Sequence, residues 1–291
     1  MAEALNRGAM EHQTMTTYSS QLITGDHRYD YIVAHELAHH WWGDFVTIAD
    51  WKDLWLNEGL ATYSEALYFE HLNGKDFYQE YMVNLAELYF REVGRLGHFS
   101  IYDPEYLWGG TMYQKGAWVL HMLRWTIGKD AFKQTLKSYA QQYAYSNALI
   151  TDFIRVAEEE SAQQLDWFFD QWIYKPGYPD IDVSWNYQNK SNGLYQLDVT
   201  LLQKQWDQFQ FQLPIEILIQ MDDSVVLDTL HLSQKQNNFS IDIPSRPVSI
   251  EIDPNNWLLK QHDIISGPTP PDVTPDNFYL AQNYPNPFIR G

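Results

Sequence analysis

The 291-residue chain contains no cysteine. That excludes a disulfide framework and a thiolate metal site, so a bound metal would need histidine or carboxylate ligands. It leaves the redox compartment open. Basic residues are scarce: 19 Lys and Arg stand against 38 Asp and Glu, a net charge of −19. A nucleic-acid binder needs a basic face, and so does a protein held on anionic lipid; both classes are disfavoured. The acidity reads as solubility rather than as steering of cationic substrates. No run of about 18 apolar residues occurs, so no membrane span is expected. The opening, Met1-Ala2-Glu3-Ala4-Leu5-Asn6-Arg7-Gly8, lacks the apolar centre of a signal peptide. An export signal, if there is one, is not in this stretch.

What is present is enough apolar and aromatic material, 45% and 16% of residues, for a core. The length suits one large domain or two ordinary ones. The most informative stretch is His35-Glu36-Leu37-Ala38-His39. On a helix, residues i and i+4 share a face, so both imidazoles can reach one metal ion, with Glu36 beside them. Apolar Ile32, Val33, Leu37, Ala38 and Trp41 recur at helical spacing, which predicts a helix from Tyr29 to Trp42. Asp26 is its candidate N-cap and Gly43 its stop. A loop, Asp44 to Asp53, precedes a second helix from about Trp55 to Leu72, ended by Asn73-Gly74. Glu58 lies nineteen positions after His39. An antiparallel return would bring it beside the histidine pair as a third ligand. Two imidazoles and one carboxylate leave the fourth tetrahedral position open, the pattern of a catalytic rather than a structural zinc. The competing reading of the pentapeptide is an ordinary amphipathic helix with buried, hydrogen-bonded histidines.

His35–His39, then Glu58 within Trp55-Leu56-Asn57-Glu58-Gly59, resembles the gluzincin zinc aminopeptidase family, to which aminopeptidase N and leukotriene hydrolase belong. Gly8-Ala9-Met10-Glu11 resembles that family's exopeptidase motif. Met112-Tyr113-Gln114-Lys115-Gly116-Ala117 resembles the segment with its catalytic tyrosine. Phe168 to Trp172 and Pro176 to Pro179 resemble the end of its catalytic domain. The resemblance implies one zinc per chain on His35, His39 and Glu58, with Glu36 as general base. It implies Tyr113 as donor to the developing oxyanion, and Gly8, Ala9, Met10 and Glu11 as the substrate-binding segment. Glu11 would face the substrate's α-ammonium and so fix the cleaved bond as the first one. His12 departs from the family's usual Asn at this point. Glu65, seven residues after Glu58 on the same helical face, is a candidate hydrogen-bond partner for a ligand histidine, with a surface salt bridge as the alternative.

The fold class read from the chain is α+β: a mostly helical, thermolysin-like zinc catalytic domain over residues 1–179, then a small β-sandwich over 180–262. Extended structure is expected over residues 5–24. Helices are expected at 77–93, 112–127, 129–143, 150–160 and 163–174, with a loop at 94–110. After Pro179 the period changes to two, with strands expected from Ile181, at 195–201, 209–219, 225–232, 239–243 and 248–252. Residues 263–276 read as a proline-rich linker. Residues 277–291 resemble the start of a type IX secretion sorting domain, which implies a secreted or cell-surface bacterial protein. Because the resembled family places further domains on both sides, the chain reads as a truncated piece of a larger enzyme.

The function read from these residues is hydrolysis of the N-terminal bond of peptides that have a free N-terminus. A thermolysin-like endopeptidase using the same metal site, and an inactive fragment, remain as alternatives. Oligomeric state is not legible.

Overall fold

In the computed structural model the described residues are 2–4, 8–205 and 209–268. Three short strands open the chain: β1 (Ala2–Ala4), β2 (Ala9–Met10) and β3 (Thr17–Ser19). β3 lies between the others, parallel to β1 and antiparallel to β2. Helix α1 (Asp30–Ala38) follows. It is shorter than its apolar spacing predicts, and His39 is its C-cap residue rather than mid-helix. His39 keeps right-handed helical angles and its N–H still bonds the His35 carbonyl, so the four-residue spacing of the imidazoles survives. Asp26 does not cap α1. Its carboxylate accepts from Thr24 and from the Arg28 amide, closing the turn ahead of the helix.

The apolar residues whose spacing predicts α1 do not all face the core. Val33, Leu37 and Trp41 are 42%, 55% and 50% exposed. With Leu67 and Tyr68 they line an open groove on the outer side. The buried residues of α1 are Glu36 and Ala38, with His39 just beyond. Helical periodicity alone cannot say which stripe is covered when a polar stripe has a chemical reason to face inward.

Strand β4 (Val46–Ile48) leads to α2 (Trp55–Asn73) and α3 (Lys75–Leu96). A π-helical turn, Thr111–Lys115, runs straight into α4 (Gly116–Ile127). Then come α5 (Lys129–Gln142), β5 (Ser146–Ala148), α6 (Ile150–Ser161) and α7 (Asp166–Phe169), which passes into a second π-helical turn, Asp170–Tyr174. β4 and β5 form a small parallel pair that the sequence pattern does not announce. The helices enclose a core rich in rings: Trp55, Tyr63, Tyr89, Trp118, Phe153 and Trp172 are all almost wholly buried. Burial of this kind stabilises by about 1.5–3 kcal/mol per large apolar side chain.

Seven strands follow: β6 (Asp180–Asn189), β7 (Tyr195–Gln203), β8 (Leu213–Met221), β9 (Val225–Leu232), β10 (Gln236–Ile243), β11 (Pro247–Ile252) and β12 (Gln261–Ser266). They make a four-stranded sheet ordered β10-β7-β6-β12 and a three-stranded sheet ordered β11-β8-β9. Along β7 and β8 every second residue is buried, from Leu197 to Leu201 and from Leu213 to Met221. Two sheets joined through such faces give the sandwich that the period of two predicts. β12 crosses the boundary expected at residue 262, and its residues 263–266 are strand rather than linker. All six of its residues are exposed, so it carries no alternation to read. The expected sorting-type tail, 277–291, and most of the linker lie outside the described residues. The sandwich is seated on the helices by polar and ring contacts. His121 Nε2–H donates to the Asn256 carbonyl at 2.8 Å, and the Trp257 ring stacks against both His121 and Trp125. Gln171 and Gln212 exchange two hydrogen bonds of 2.9 Å.

The contact that places the site is the crossing of α2 and α4. A Cβ on Gly59 would stand 3.1 Å from the Gly116 Cα, and one on Gly116 would stand 3.0 Å from the Gly59 Cα. The two backbones touch, so neither position has room for a side chain. Gly59→Ala would gain about 1 kcal/mol of helix propensity. Against that stands overpacking of roughly 1–3 kcal/mol, because the opposing atoms are backbone and cannot rotate away. We expect Gly59→Ala to be less stable by about 1 kcal/mol net, the middle of the overpacking range less the propensity gain, in urea unfolding. A variant as stable as the parent would mean that the helices separate freely.

Candidate metal centre

α1 and α2 pack side by side and present His35, His39 and Glu58 to one point. The three ligand atoms form a nearly equilateral triangle. His35 Nε2 and His39 Nε2 are 3.0 Å apart, and each stands 3.3 Å from the Glu58 carboxylate. Ligands on a tetrahedral ion at 2.0–2.1 Å would be separated by about 3.3–3.4 Å. The triangle therefore has the size of a preformed three-ligand site. Among the described residues it is the one group of three or more such side chains that could hold a metal.

Both imidazoles are oriented from behind. His35 Nδ1 is 2.7 Å from Glu65, and His39 Nδ1 is 3.0 Å from the Trp42 carbonyl. A proton on each Nδ1 satisfies these acceptors and leaves both Nε2 lone pairs facing inward. Gly43 sits at φ +147° against His39, and a Cβ there would lie 3.3 Å from the His39 carbonyl oxygen. The turn after α1 thus needs glycine to fold under His39. Burial disfavours charge on His35, yet the carboxylates of Glu58 and Glu65 outweigh it and raise the imidazole to about 10. Burial acts to raise Glu58, and its bonds to the two histidines reverse that and bring it to about 2. The same carboxylates favour a proton on the histidines. A divalent cation would have to displace it, so metal affinity falls as pH falls.

Glu36 is buried beside the triangle. Burial, against the opposing pull of His35 and His39, raises its carboxyl to about 7. Such a group can take a proton and return it near neutral pH. Glu11 follows β2, which pairs through Ala9 and Met10 with Tyr18 and Thr17. The Gly8 carbonyl accepts from the Ser19 amide at 2.9 Å. This strand puts Glu11 close enough for its charge to act on Glu36, His39 and Tyr113. His12, the departure noted above, is exposed, and its carbonyl closes a turn to Met15. Tyr113 lies in the π-helical turn. Its ring stacks on His35, with centroids 6.0 Å apart, and the Glu58 charge acts on its hydroxyl. Burial first, and then the negative charges of Glu58, Glu11 and Glu36, push that hydroxyl well above the usual range, so it remains a donor.

His35, Glu36, His39, Glu58, Glu65 and Tyr113 therefore come to one locality on which the Glu11 charge acts, and Glu65 makes a bond to His35 rather than a surface salt bridge. Sequence reading missed the Trp42 carbonyl, Tyr81 behind Glu65, and Lys115. The first is a backbone group that no side-chain pattern marks. Tyr81 is one of 20 tyrosines. Lys115 resembles any surface lysine until its burial is seen.

Two histidines, a carboxylate and an adjacent raised glutamate, at one end of a helical body, define a candidate metallohydrolase centre. Comparison with known proteins narrows this. Residues 1–172 match the profile described as the peptidase family M1 domain, and the chain belongs to that family. It is 36% identical over 193 residues to aminopeptidase M1-B of Oryza sativa subsp. japonica, covering 60% of this chain and 22% of that protein. It is 33% identical over 228 residues to aminopeptidase N of Mus musculus, covering 66% of this chain and 23% of that protein. The crystal structure of Legionella pneumophila aminopeptidase A in complex with aspartic acid superposes with a TM-score of 0.71 at 22% identity, a likeness of fold. That match covers 90% of this chain and 31% of the other. The chain thus spans between a fifth and a third of the length of these relatives.

Lys115 supplies a test of how the tyrosine segment is held. It is wholly buried, and its ammonium has one weak partner, the Lys175 carbonyl at 3.3 Å. Burial lowers it from the ordinary 10.5 to about 7. Between those values the unfolded chain keeps a proton that the folded chain has released, so stability rises with pH across the window and is lowest below about pH 7. Lys115→Met removes this penalty. The variant should be more stable than the parent at pH 7, with the difference closing toward pH 10.5. Denaturant midpoints measured at both pH values check this; an unchanged or lower midpoint at pH 7 would show that Lys115 is solvated or paired.

Proposed function

We propose that this chain is the catalytic part of a zinc aminopeptidase, hydrolysing the first peptide bond of substrates with a free N-terminus. The observation that carries the reading is the triangle of His35, His39 and Glu58 with Glu36 buried beside it. Its donor set of two imidazoles and one carboxylate, with no fourth protein ligand among the described residues, fits a catalytic zinc. When bound, zinc supplies Lewis acidity toward the scissile carbonyl and makes water ionisable near neutral pH.

The protein's own groups divide the remaining work. Glu36 accepts the proton of the attacking water and returns it to the leaving amine, work typically worth about 10²–10⁴ in rate. Tyr113, held protonated, donates to the oxygen that gains charge, worth about 10²–10³. Glu11, which follows β2 and whose charge acts on Glu36, faces the free α-ammonium and sets the register of the substrate. The names of the M1 relatives, aminopeptidase M1-B and aminopeptidase N, support the same reading.

The test uses an amino-acid arylamide and its N-acetylated form. The free amine should be cleaved and the acetylated form not. Equal cleavage of both would refute the exopeptidase reading and favour an endopeptidase using the same metal. Glu36→Gln should reduce kcat by at least about 10²-fold with zinc still bound at one per chain. Normal turnover by that variant would remove Glu36 from its role.

A further inference from the structure

Helix α3 touches no reacting group, yet both halves of the site rest on it. Near its first third, the Tyr81 hydroxyl donates to Glu65, whose other oxygen receives His35 Nδ1 at 2.7 Å. Three turns on, Glu92 accepts from the Gly110 amide. Gly110 is the N-cap of the π-helical turn that holds Tyr113. The carbonyl of Gly109 accepts from the amides of Met112 and Tyr113, so the start of that turn is defined by this short stretch. The two glycines are fitted to the carboxylate. A Cβ on Gly109 would stand 2.7 Å from Glu92 Oε1, and one on Gly110 would stand 3.1 Å from it.

Tyr81 and Glu92 are eleven residues apart, which is three turns plus about 20°, so they lie on one stripe of the helix, separated by roughly 16 Å along its axis. Between them Met82, Leu85, Ala86 and Tyr89 are buried. The stripe is therefore a rigid ruler rather than a flexible surface. A carboxylate can rotate about its last bond; with both oxygens bound, that of Glu65 cannot. Glu92 places a negative charge at the free amide end of the Tyr113 segment, where the helix dipole favours it.

We propose that α3 sets the geometry of both halves, with Tyr81 and Glu92 as positioning residues. Tyr81 holds Glu65, and through it the orientation of the His35 ring. Glu92 holds the start of the π-helical turn, and through it the height of the Tyr113 hydroxyl. This rests on the reading of His35 as a zinc ligand and Tyr113 as the oxyanion donor.

The test separates the two arms by readouts other than turnover. Loss of the group directly behind a ligand histidine typically weakens metal binding by 10–100-fold; Tyr81 is one step further out, so Tyr81→Phe should weaken zinc about 3- to 10-fold and change the visible spectrum of the Co²⁺-loaded protein. It should leave exchange of the Gly110 amide unchanged. Glu92→Ala should do the reverse: zinc affinity within about 2-fold, faster hydrogen exchange at Gly110 in the metal-free protein, and kcat lower by about 10-fold with KM nearly constant. Glu92→Gln keeps an acceptor oxygen at the same place and should restore most of both losses. Parent-like zinc affinity, cobalt spectrum and Gly110 exchange in Tyr81→Phe and Glu92→Ala, in a protein that binds zinc, would overturn the proposal. Equal loss in Glu92→Ala and Glu92→Gln would overturn the Glu92 arm. A parent chain that binds no zinc would instead refute the metal-site reading on which it rests.

Discussion

α2 and α4 meet backbone to backbone at Gly59 and Gly116, and the site hangs on that contact. Gly59 follows Glu58 directly, and Gly116 comes three residues after Tyr113. A crossing with no side chain between the helices brings the Glu58 carboxylate close enough for its charge to act on the Tyr113 hydroxyl. Wider separation would leave Glu58 and Tyr113 on opposite walls of a cleft. Proximity of this kind is what lets separate groups act in one step.

The same packing concentrates charge where water is scarce. Glu36, Glu58 and Glu65 are all buried within reach of two imidazoles. The bonds of His35 and His39 hold Glu58 ionised, while Glu36 is raised toward neutrality by burial. Carboxylates of one chemical type thus take different protonation states, because one is paired and the other is only desolvated. Taken as contributions to folding, these groups are expensive; their arrangement becomes intelligible as a preformed cation site. Lys115, buried in the tyrosine segment with a single weak partner, belongs to the same pattern of stability given up near a working site.

The helical body and the sandwich are joined by a similar logic on a smaller scale. His121 is buried, and burial lowers it to about 4, so it stays neutral and can accept from Tyr78 while donating to the Asn256 carbonyl. Trp257 fills the space between His121 and Trp125. The sandwich is held by a neutral polar contact inside a ring stack, and the segment that makes it is braced by the buried ion pair of Lys260 with Asp253 at 2.9 Å.

The sequence by itself marked the candidate cluster and determined the class of architecture. His35, Glu36, His39 and Glu58 declared themselves because metal coordination needs particular atoms at particular spacings, and a helix turns spacing into a shared face. The switch from a period near 3.6 to a period of two after Pro179 marked the passage from helices to sandwich. β12 escaped because an exposed edge strand carries no alternation, and β4 and β5 because three-residue strands are too short to show one. Which stripe of α1 faces inward was decided only by tertiary structure: Val33, Leu37 and Trp41 have the composition of a core, yet Glu36 and His39 occupy the inside. Tyr81, Glu92, Gly43, the Gly59–Gly116 contact and the Trp42 carbonyl belong to the same category. Their roles depend on distances between segments far apart in the chain, and a linear pattern records the period of each helix but not where its neighbours come to rest.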